Sequence, residues 1–364
     1  MKTYLIPLVP GPTRVPAEVL AAYQTNYGSS DLEPEFYELY QDTQQKFQKI
    51  MGTKNTIVMM NGEAMLVLWA ALKSALIPGD KVVSIANGVF GHGIADMARS
   101  RGCEVDVVAA EYNAAIDLEQ VENSIKNFRP KMVTMVHCET PSGIINPVKE
   151  VGKLVKKYGV PLFYVDAVSS VGGAEVKVDD WGIDLCLVGS QKCLGAPPEL
   201  GIVSVSKRSW KIIDFIDYNG YDSLVPWKNG AQNQWFPYTL SWHSIAAVNR
   251  ACQLILDEGL KNAIERHEKI AKYCRQRITE MGLQVFPEDE SICSPTVTAV
   301  KVPENLTWNY LNKRLRARGM AVGGSLGKLA NRVFRIGHMG CQANMDIVEH
   351  GMDILEYIML SSRV

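Results

Sequence analysis

Between residues 56 and 205, short apolar and largely β-branched runs alternate with segments of helix length, and that alternation leaves the chain few possible folds. T-I-V-M-M (56–60) reads as a strand, 63–77 as a helix, Pro78-Gly79-Asp80 as a turn and K-V-V-S-I-A (81–86) as the next strand. A helix near 90–101 follows, then a strand near 104–109, a helix near 117–127, the strand K-M-V-T-M-V (131–136) and a helix near 147–158. L-F-Y-V (162–165), D-L-C-L-V (184–188) and G-I-V-S-V (201–205) complete the series. Strands apolar on both faces belong inside a sheet covered by helices, and helical crossovers require that sheet to be mostly parallel. Residues 20–258 are therefore expected to form one large α/β domain.

The pattern changes after residue 259. A charge-dense helix over 260–281 leads to short strands at 283–286 and 296–302, a basic helix at 307–318, the strand R-V-F-R-I (332–336) and a closing helix at 345–359. This predicts a smaller C-terminal α+β domain over 259–364, with the charged first helix reading as a solvated face. Residues 1–19 are expected to pack as an N-terminal segment on a partner subunit or on the small domain. Lys and Arg (38) balance Asp and Glu (39), which argues against a nucleic-acid surface. The longest apolar run, 64–72, falls well short of the roughly 18 residues that span a bilayer. The first dozen residues carry one lysine and no long apolar core, so no signal peptide is expected. None of the eight cysteines forms a C-x-x-C pair. The expectation is a cytoplasmic, reduced protein without a metal site.

Two segments carry chemistry. V-D-A-V-S-S (165–170) places Asp166 at the carboxyl end of one apolar strand, and S-Q-K-C-L-G-A-P-P (190–198) places Lys192 just beyond the next. That edge is where open α/β sheets hold ligands. A lysine there can form a Schiff base with an aldehyde, and an aspartate can pair with a protonated pyridine nitrogen and make the ring an electron sink. Taken singly, Asp166 reads as a helix cap and Lys192 as a surface lysine; on successive strand ends they read together as a site. Arg335 stands in an otherwise apolar run, where an unpaired buried charge is costly, so an anionic partner is expected. Arginine also suits planar, bidentate recognition of a carboxylate. Phe90, on a glycine-flanked turn, reads by itself as core. His338 reads as a packing or capping histidine.

These and other segments resemble the class V, fold-type I aminotransferases, the alanine–glyoxylate and serine–pyruvate aminotransferase group. The matching pieces are P-G-P-T (10–13), P-G-D (78–80), N-G-V-F-G (87–91), H-C-E-T-P-S-G (137–143), V-D-A-V-S-S (165–170), S-Q-K-C-L-G-A-P-P (190–198) and R-I-G-H-M-G (335–340). The resemblance runs in order along nearly the whole chain. It implies a fold-type I architecture and a transaminase, with Lys192 as the Schiff-base lysine and Asp166 as the ring-nitrogen partner. By the same resemblance Phe90 stacks on the ring, Thr140 and Ser142 bond near the ring hydroxyl, and Arg335 clamps the substrate carboxylate. Met65 and Gln191 complete the expected ring-binding set. F-P-Y-T (236–239) resembles the segment that reaches a neighbouring subunit's site, which implies a homodimer or homotetramer with Thr239 shared across the interface. The aromatic loop 226–235 reads as interface packing.

The chain departs from the wider family at the first large helix. There a Gly-rich, Ser/Thr-bearing turn cradles the cofactor phosphate, because free amides and the helix dipole favour an anion. This chain has N-G-E-A-M (61–65) instead, with Glu63 where a small hydroxyl or glycine is expected. An acidic residue in a first helical turn is also favourable without any ligand. One branch of the family, which transfers an amino group between pyridoxamine and pyruvate, resembles the chain here and at Y-N-x-A-I-D (112–117), T-P-S-G-x-I-N-P (140–147), S-P-T-x-T-A-V (294–300) and L-G-K-L (326–329). In that branch the ring compound is a substrate without phosphate, and a glutamate fills the vacated phosphate site. The resemblance thus implies transfer from pyridoxamine to pyruvate, giving pyridoxal and L-alanine, with no tightly bound cofactor. The alternative is a conventional enzyme with pyridoxal 5'-phosphate on Lys192, acting on alanine or serine with glyoxylate or pyruvate. A non-enzymatic vitamin-B6 carrier is disfavoured by the intact set Lys192, Asp166 and Arg335. Val322 stands where the branch has a second arginine; Lys328 and Arg332 are the candidates for that charge. The branch's tyrosines near 30–32 are also missing.

Overall fold

In the computed structural model, which describes residues 3–361, β1 (Ile6–Pro7) and α1 (Ala17–Leu20) precede the long helix α2 (Pro34–Met51). Then follow β2 (Thr56–Asn61), α3 (Ala64–Ala75), β3 (Lys81–Ala86), α4 (Val89–Ser100), β4 (Glu104–Ala109), α5 (Leu118–Phe128) and β5 (Met132–Val136). A short hairpin, β6 (Cys138–Glu139) and β7 (Ile144–Ile145), leads to α6 (Val148–Lys157), β8 (Leu162–Asp166), β9 (Leu185–Gly189), β10 (Leu200–Val205), α7 (Lys207–Ile216) and α8 (Trp242–Glu258). The C-terminal part holds α9 (Leu260–Glu280), β11 (Val297–Lys301), α10 (Trp308–Ala317), β12 (Met320–Ala321), β13 (Gly323–Gly324), β14 (Val333–Gly337) and α11 (Met345–Leu360).

Seven strands form the central sheet in the order β2-β10-β9-β8-β5-β3-β4, and only β10 runs against the others. The mostly parallel sheet follows from the alternation in the sequence. Every residue of β5, β8, β9 and β10 is buried, as strands covered on both faces require. One core surrounds this sheet. A second is built from α9, α10, α11 and a three-stranded sheet ordered β11-β14-β13. This is the architecture expected from the sequence, a mostly parallel sheet covered by helices.

Three details differ from the sequence pattern. Helices α2 and α8 pack against each other although the strand–helix alternation did not reveal them; α2 buries Phe36, Tyr40 and Phe47. The strand expected at 283–286 is reduced to one bridge, Val285 to Val300. Pro287 follows immediately and has no amide to extend the pairing. The N-terminal residues pair in parallel with β12, and Leu8 is buried among α9–α11. Among the described residues no helix is long and apolar enough to cross a membrane, and no group of three or more His, Cys, Asp and Glu is placed to hold a metal ion.

Candidate active site

The parallel strands β3, β5, β8 and β9 finish on one edge of the sheet, and α3 and α4 begin there. Two glycines let α3 lie close to the strands: a Cβ on Gly201 would sit 2.7 Å from Val67, and one on Gly189 would sit 2.8 Å from the Ala64 Cβ. The edge encloses a cavity of about 220 Å³ whose lining includes Glu63, Met65, Phe90, Cys138, Thr140, Asp166, Ser169, Gln191 and Lys192. A groove of about 590 Å³ on the C-terminal part is larger; its lining includes Phe286, Lys301, Glu304 and Arg332, but it does not lie at the carboxyl ends of the parallel strands, where open α/β sheets hold ligands.

Asp166, the last residue of β8, accepts a hydrogen bond from the Val168 amide at 2.9 Å and forms no salt bridge among the described residues. Burial raises its pKa to about 6, against opposing pulls from the Val168 amide and the charge of Lys192. A buried carboxyl with no cation of its own fits a cationic ring nitrogen. Lys192 Nζ donates to the Pro10 carbonyl at 2.6 Å. Gly11 makes that approach possible: its φ is +107°, and a Cβ there would stand 2.5 Å from Nζ. Thr13 secures the same segment by donating to the Lys192 carbonyl at 2.9 Å. Burial, and then the positive charge of Arg335, lowers the Lys192 pKa to about 8.

Arg335 lies in β14 and is 8 % exposed. Nε and Nη2 both donate to the Gly324 carbonyl, at 3.0 and 2.5 Å, and no acid pairs with the guanidinium among the described residues. Burial lowers its pKa to about 10. Its fork thus keeps unused donors and an uncompensated charge, which suits a carboxylate.

Glu63 caps α3 with its side chain. Oε1 accepts from the Met65 amide at 3.0 Å, and Oε2 accepts from Gln191 Nε2 at 3.1 Å. Two donors that would attract an anion here, the Met65 amide and Gln191 Nε2, are therefore already bonded to a carboxylate of the chain itself. Among the described residues Gln191 Oε1 is buried without a partner. The ring end of the cavity fits a pyridine ring: Phe90 offers an aromatic wall, Asp166 an acid, and Thr140 a hydroxyl 2.5 Å from Ser169 Oγ. At the helix start the Met65 amide is taken by the Glu63 carboxylate and the Leu66 amide by the Glu63 carbonyl.

The structure brings Lys192, Asp166, Phe90, Thr140, Gln191, Glu63 and Met65 together around the cavity. Ser142 is fully buried outside it and donates to the Glu139 carbonyl at 3.4 Å. Thr239 is exposed, donates to Asp31 at 2.7 Å, and lies outside the cavity of its own chain. Val322 is buried in the C-terminal core; Lys328 stands over the Tyr112 ring, and Arg332 lines the groove on the C-terminal part. Sequence reasoning missed Cys138, Glu139, Ser169 and Pro10. Each lies inside a quoted motif, yet none carries a signal of its own at that level.

The lowered Lys192 pKa gives a signed pH dependence. The amine is nucleophilic when neutral, so its reaction with an aromatic aldehyde is expected to speed up as pH rises through about 8. Arg335→Gln removes one of the two causes of the lowering and is expected to move that midpoint to higher pH. Stopped-flow absorbance from about pH 6 to about 10 spans the range where such a lysine titrates. A midpoint unmoved, or shifted to lower pH, refutes the coupling.

The sequence pattern of the aminotransferase class-V family matches residues 8–336. The chain is 36% identical to a pyridoxamine–pyruvate transaminase of Mesorhizobium japonicum over 343 residues, 92% of this chain and 86% of that protein. It is 33% identical to a serine–glyoxylate aminotransferase of Arabidopsis thaliana over 348 residues, 91% of this chain and 84% of that protein. The crystal structure of pyridoxamine–pyruvate aminotransferase from Mesorhizobium loti superposes with a TM-score of 0.96 at 33% identity, covering 100% of this chain and 94% of that one.

Proposed function

The chain belongs to the class V aminotransferases, and from that premise we propose that it transfers an amino group from pyridoxamine to pyruvate, giving pyridoxal and L-alanine. That it is a transaminase follows from the family; the choice of substrates is our reading. The observation that carries it is the Glu63 carboxylate, bonded to the Met65 amide and Gln191 where a phosphate would need those donors. A neutral hydroxymethyl group can donate to this carboxylate; a phosphate cannot, and it brings nearly two negative charges.

The protonated ring, when bound, draws electrons from the carbon bearing the amino group. The chain's residues do the rest. Asp166, lacking a cation of its own, holds the proton on the ring nitrogen. Phe90 covers a ring face. Arg335 orients the three-carbon acid, so that proton transfer occurs in a fixed geometry. Lys192 Nζ, once released from the Pro10 carbonyl, would take the proton from the amino-bearing carbon of the ring compound and return it to the carbon that was the keto carbon of pyruvate. The water lost when amine and keto acid join is regained when pyridoxal and L-alanine part. In the reverse direction Lys192 would be the amine that condenses with the aldehyde of pyridoxal and releases water.

The test is the absorption spectrum and bound-ligand mass of the purified enzyme. Absence of stoichiometric pyridoxal phosphate, with pyridoxamine consumed one for one with pyruvate, supports the proposal. A dialysis-resistant pyridoxal phosphate overturns it. The result would then favour the second reading, a conventional enzyme using alanine or serine with glyoxylate or pyruvate. That reading draws on the cofactor chemistry of the family and on the similarity to a serine–glyoxylate aminotransferase.

The subunits are proposed to pair so that Thr239 of one completes the site of the other. Thr239 is exposed on its own subunit, and the matching family segment reaches a neighbouring site. Thr239→Ala is expected to weaken ring-compound binding without unfolding the subunit. Unchanged binding and turnover would rule the shared site out.

A further inference from the structure

Glu139 belongs to no step above, yet its side chain is fully buried directly behind the cavity. It lies in β6 between Cys138 and Thr140, both of which line the cavity. Its carboxylate faces the start of α4, accepting from the Gly91 amide at 2.6 Å and from the Phe90 amide at 3.3 Å. The residue at the cap position of α4, Gly88, has no side chain to bond those amides. Space explains the glycine, since its backbone is extended: a Cβ there would sit 2.5 Å from Glu139 Oε2. One carboxylate thus ties together two walls of the cavity, the β6 wall and the α4 wall that carries Phe90.

We propose that Glu139 is a positioning residue for the ring compound, holding Phe90 in place by gripping the first amides of α4 from the opposite wall. The inference rests on the reading that this cavity takes a vitamin-B6 ring. The geometry is that of a helix cap supplied from elsewhere in the chain, and a charge-assisted bond to backbone amides is stronger than a neutral one. Burial raises the Glu139 pKa to about 7, a sign of how little solvent shares the carboxylate.

Three variants test it. Glu139→Gln keeps the shape but sets an uncharged amide against the same N–H groups. Glu139→Ala removes the grip, and Gly88→Ala displaces the carboxylate while leaving Glu139 intact. Pyridoxal affinity is expected to fall about tenfold in Glu139→Gln and further in Glu139→Ala, consistent with loss of a charged hydrogen bond. Gly88→Ala is expected to fall in the same direction. KM for pyruvate should stay near wild type, and the circular dichroism of the bound ring should change. A folded Glu139→Gln with wild-type pyridoxal affinity and ring dichroism overturns the proposal. So does an equal loss on the pyruvate side, which would mark general loosening. If the wild type binds pyridoxal phosphate rather than pyridoxal, the same titration with the phosphorylated compound reads the grip. The substrate assignment then fails while this inference stands or falls by its own result.

Discussion

Replacing Lys192 with alanine is expected to lower transamination by at least about 10³-fold, since both the nucleophile and the proton carrier disappear. The fold should survive. The Lys192 head group makes one hydrogen bond, to the Pro10 carbonyl, and burying a charge there already disfavours the protonated state. Far-ultraviolet circular dichroism and the melting temperature check the fold, and a coupled pyruvate assay checks the rate. Borohydride reduction of the wild type in the presence of pyridoxal should fix the ring compound to the peptide containing Lys192, and Lys192→Ala should show no such adduct. Turnover above a few per cent of wild type in the variant, or an adduct at another lysine, would end the Lys192 mechanism.

Glu63→Ser carries the second large effect, on which ring compound the enzyme prefers. Two like charges at roughly 4 Å cost on the order of 4 kcal/mol at an effective dielectric of about 20. Glu63 is half-buried, so solvent reduces that cost. Because each 1.4 kcal/mol is tenfold in affinity, the substitution is expected to raise the preference for pyridoxal phosphate over pyridoxal by about 10²-fold. Serine is itself a good helix cap, so α3 should start at the same place. The change also frees Gln191 Nε2, which Glu63 occupies at 3.1 Å, as a donor for phosphate. Paired titrations of both compounds against wild type and variant measure the shift. An unchanged ratio would show that Glu63 does not set the preference.

The parts of this architecture that are local in the chain were readable before any coordinates. The β-branched runs give the parallel sheet because a strand buried on both faces has no room for alternating polar residues. Asp166 stood out because it ends an apolar strand, Lys192 because it follows just beyond the next, and Arg335 because its neighbours are apolar. Glu63 was legible as an acid at a helix start. What escaped depends on distant partners. The Lys192–Pro10 bond joins residues 182 apart, and Glu139 reaches amides 48 and 49 residues earlier. Periodicity has no access to such pairings. Ser142 shares a motif with Thr140 but lies in the turn of the β6–β7 hairpin, where a two-residue offset turns its hydroxyl onto the Glu139 carbonyl and away from the cavity. The aromatic helix α2 escaped because it buries one face against α8 instead of taking a place between two strands.

Arg335 owes its orientation to the Gly324 carbonyl of the adjoining strand β13, not to another side chain. The residues that would face the ring belong to the large sheet and its helices, whereas this guanidinium belongs to the three-stranded sheet of the C-terminal part. On the proposed reading, the group that would hold the acid and the residues that would hold the ring therefore stand on separate sheets and are separable. Side chains around β13 and β14 can be exchanged to admit a longer or bulkier acid while the backbone anchor of the guanidinium persists. Changes at the start of α3 can in turn alter the acceptable ring compound without touching that anchor. A catalyst divided in this way can acquire a new amino acceptor and a new amino donor by independent substitutions, neither of which has to wait for the other.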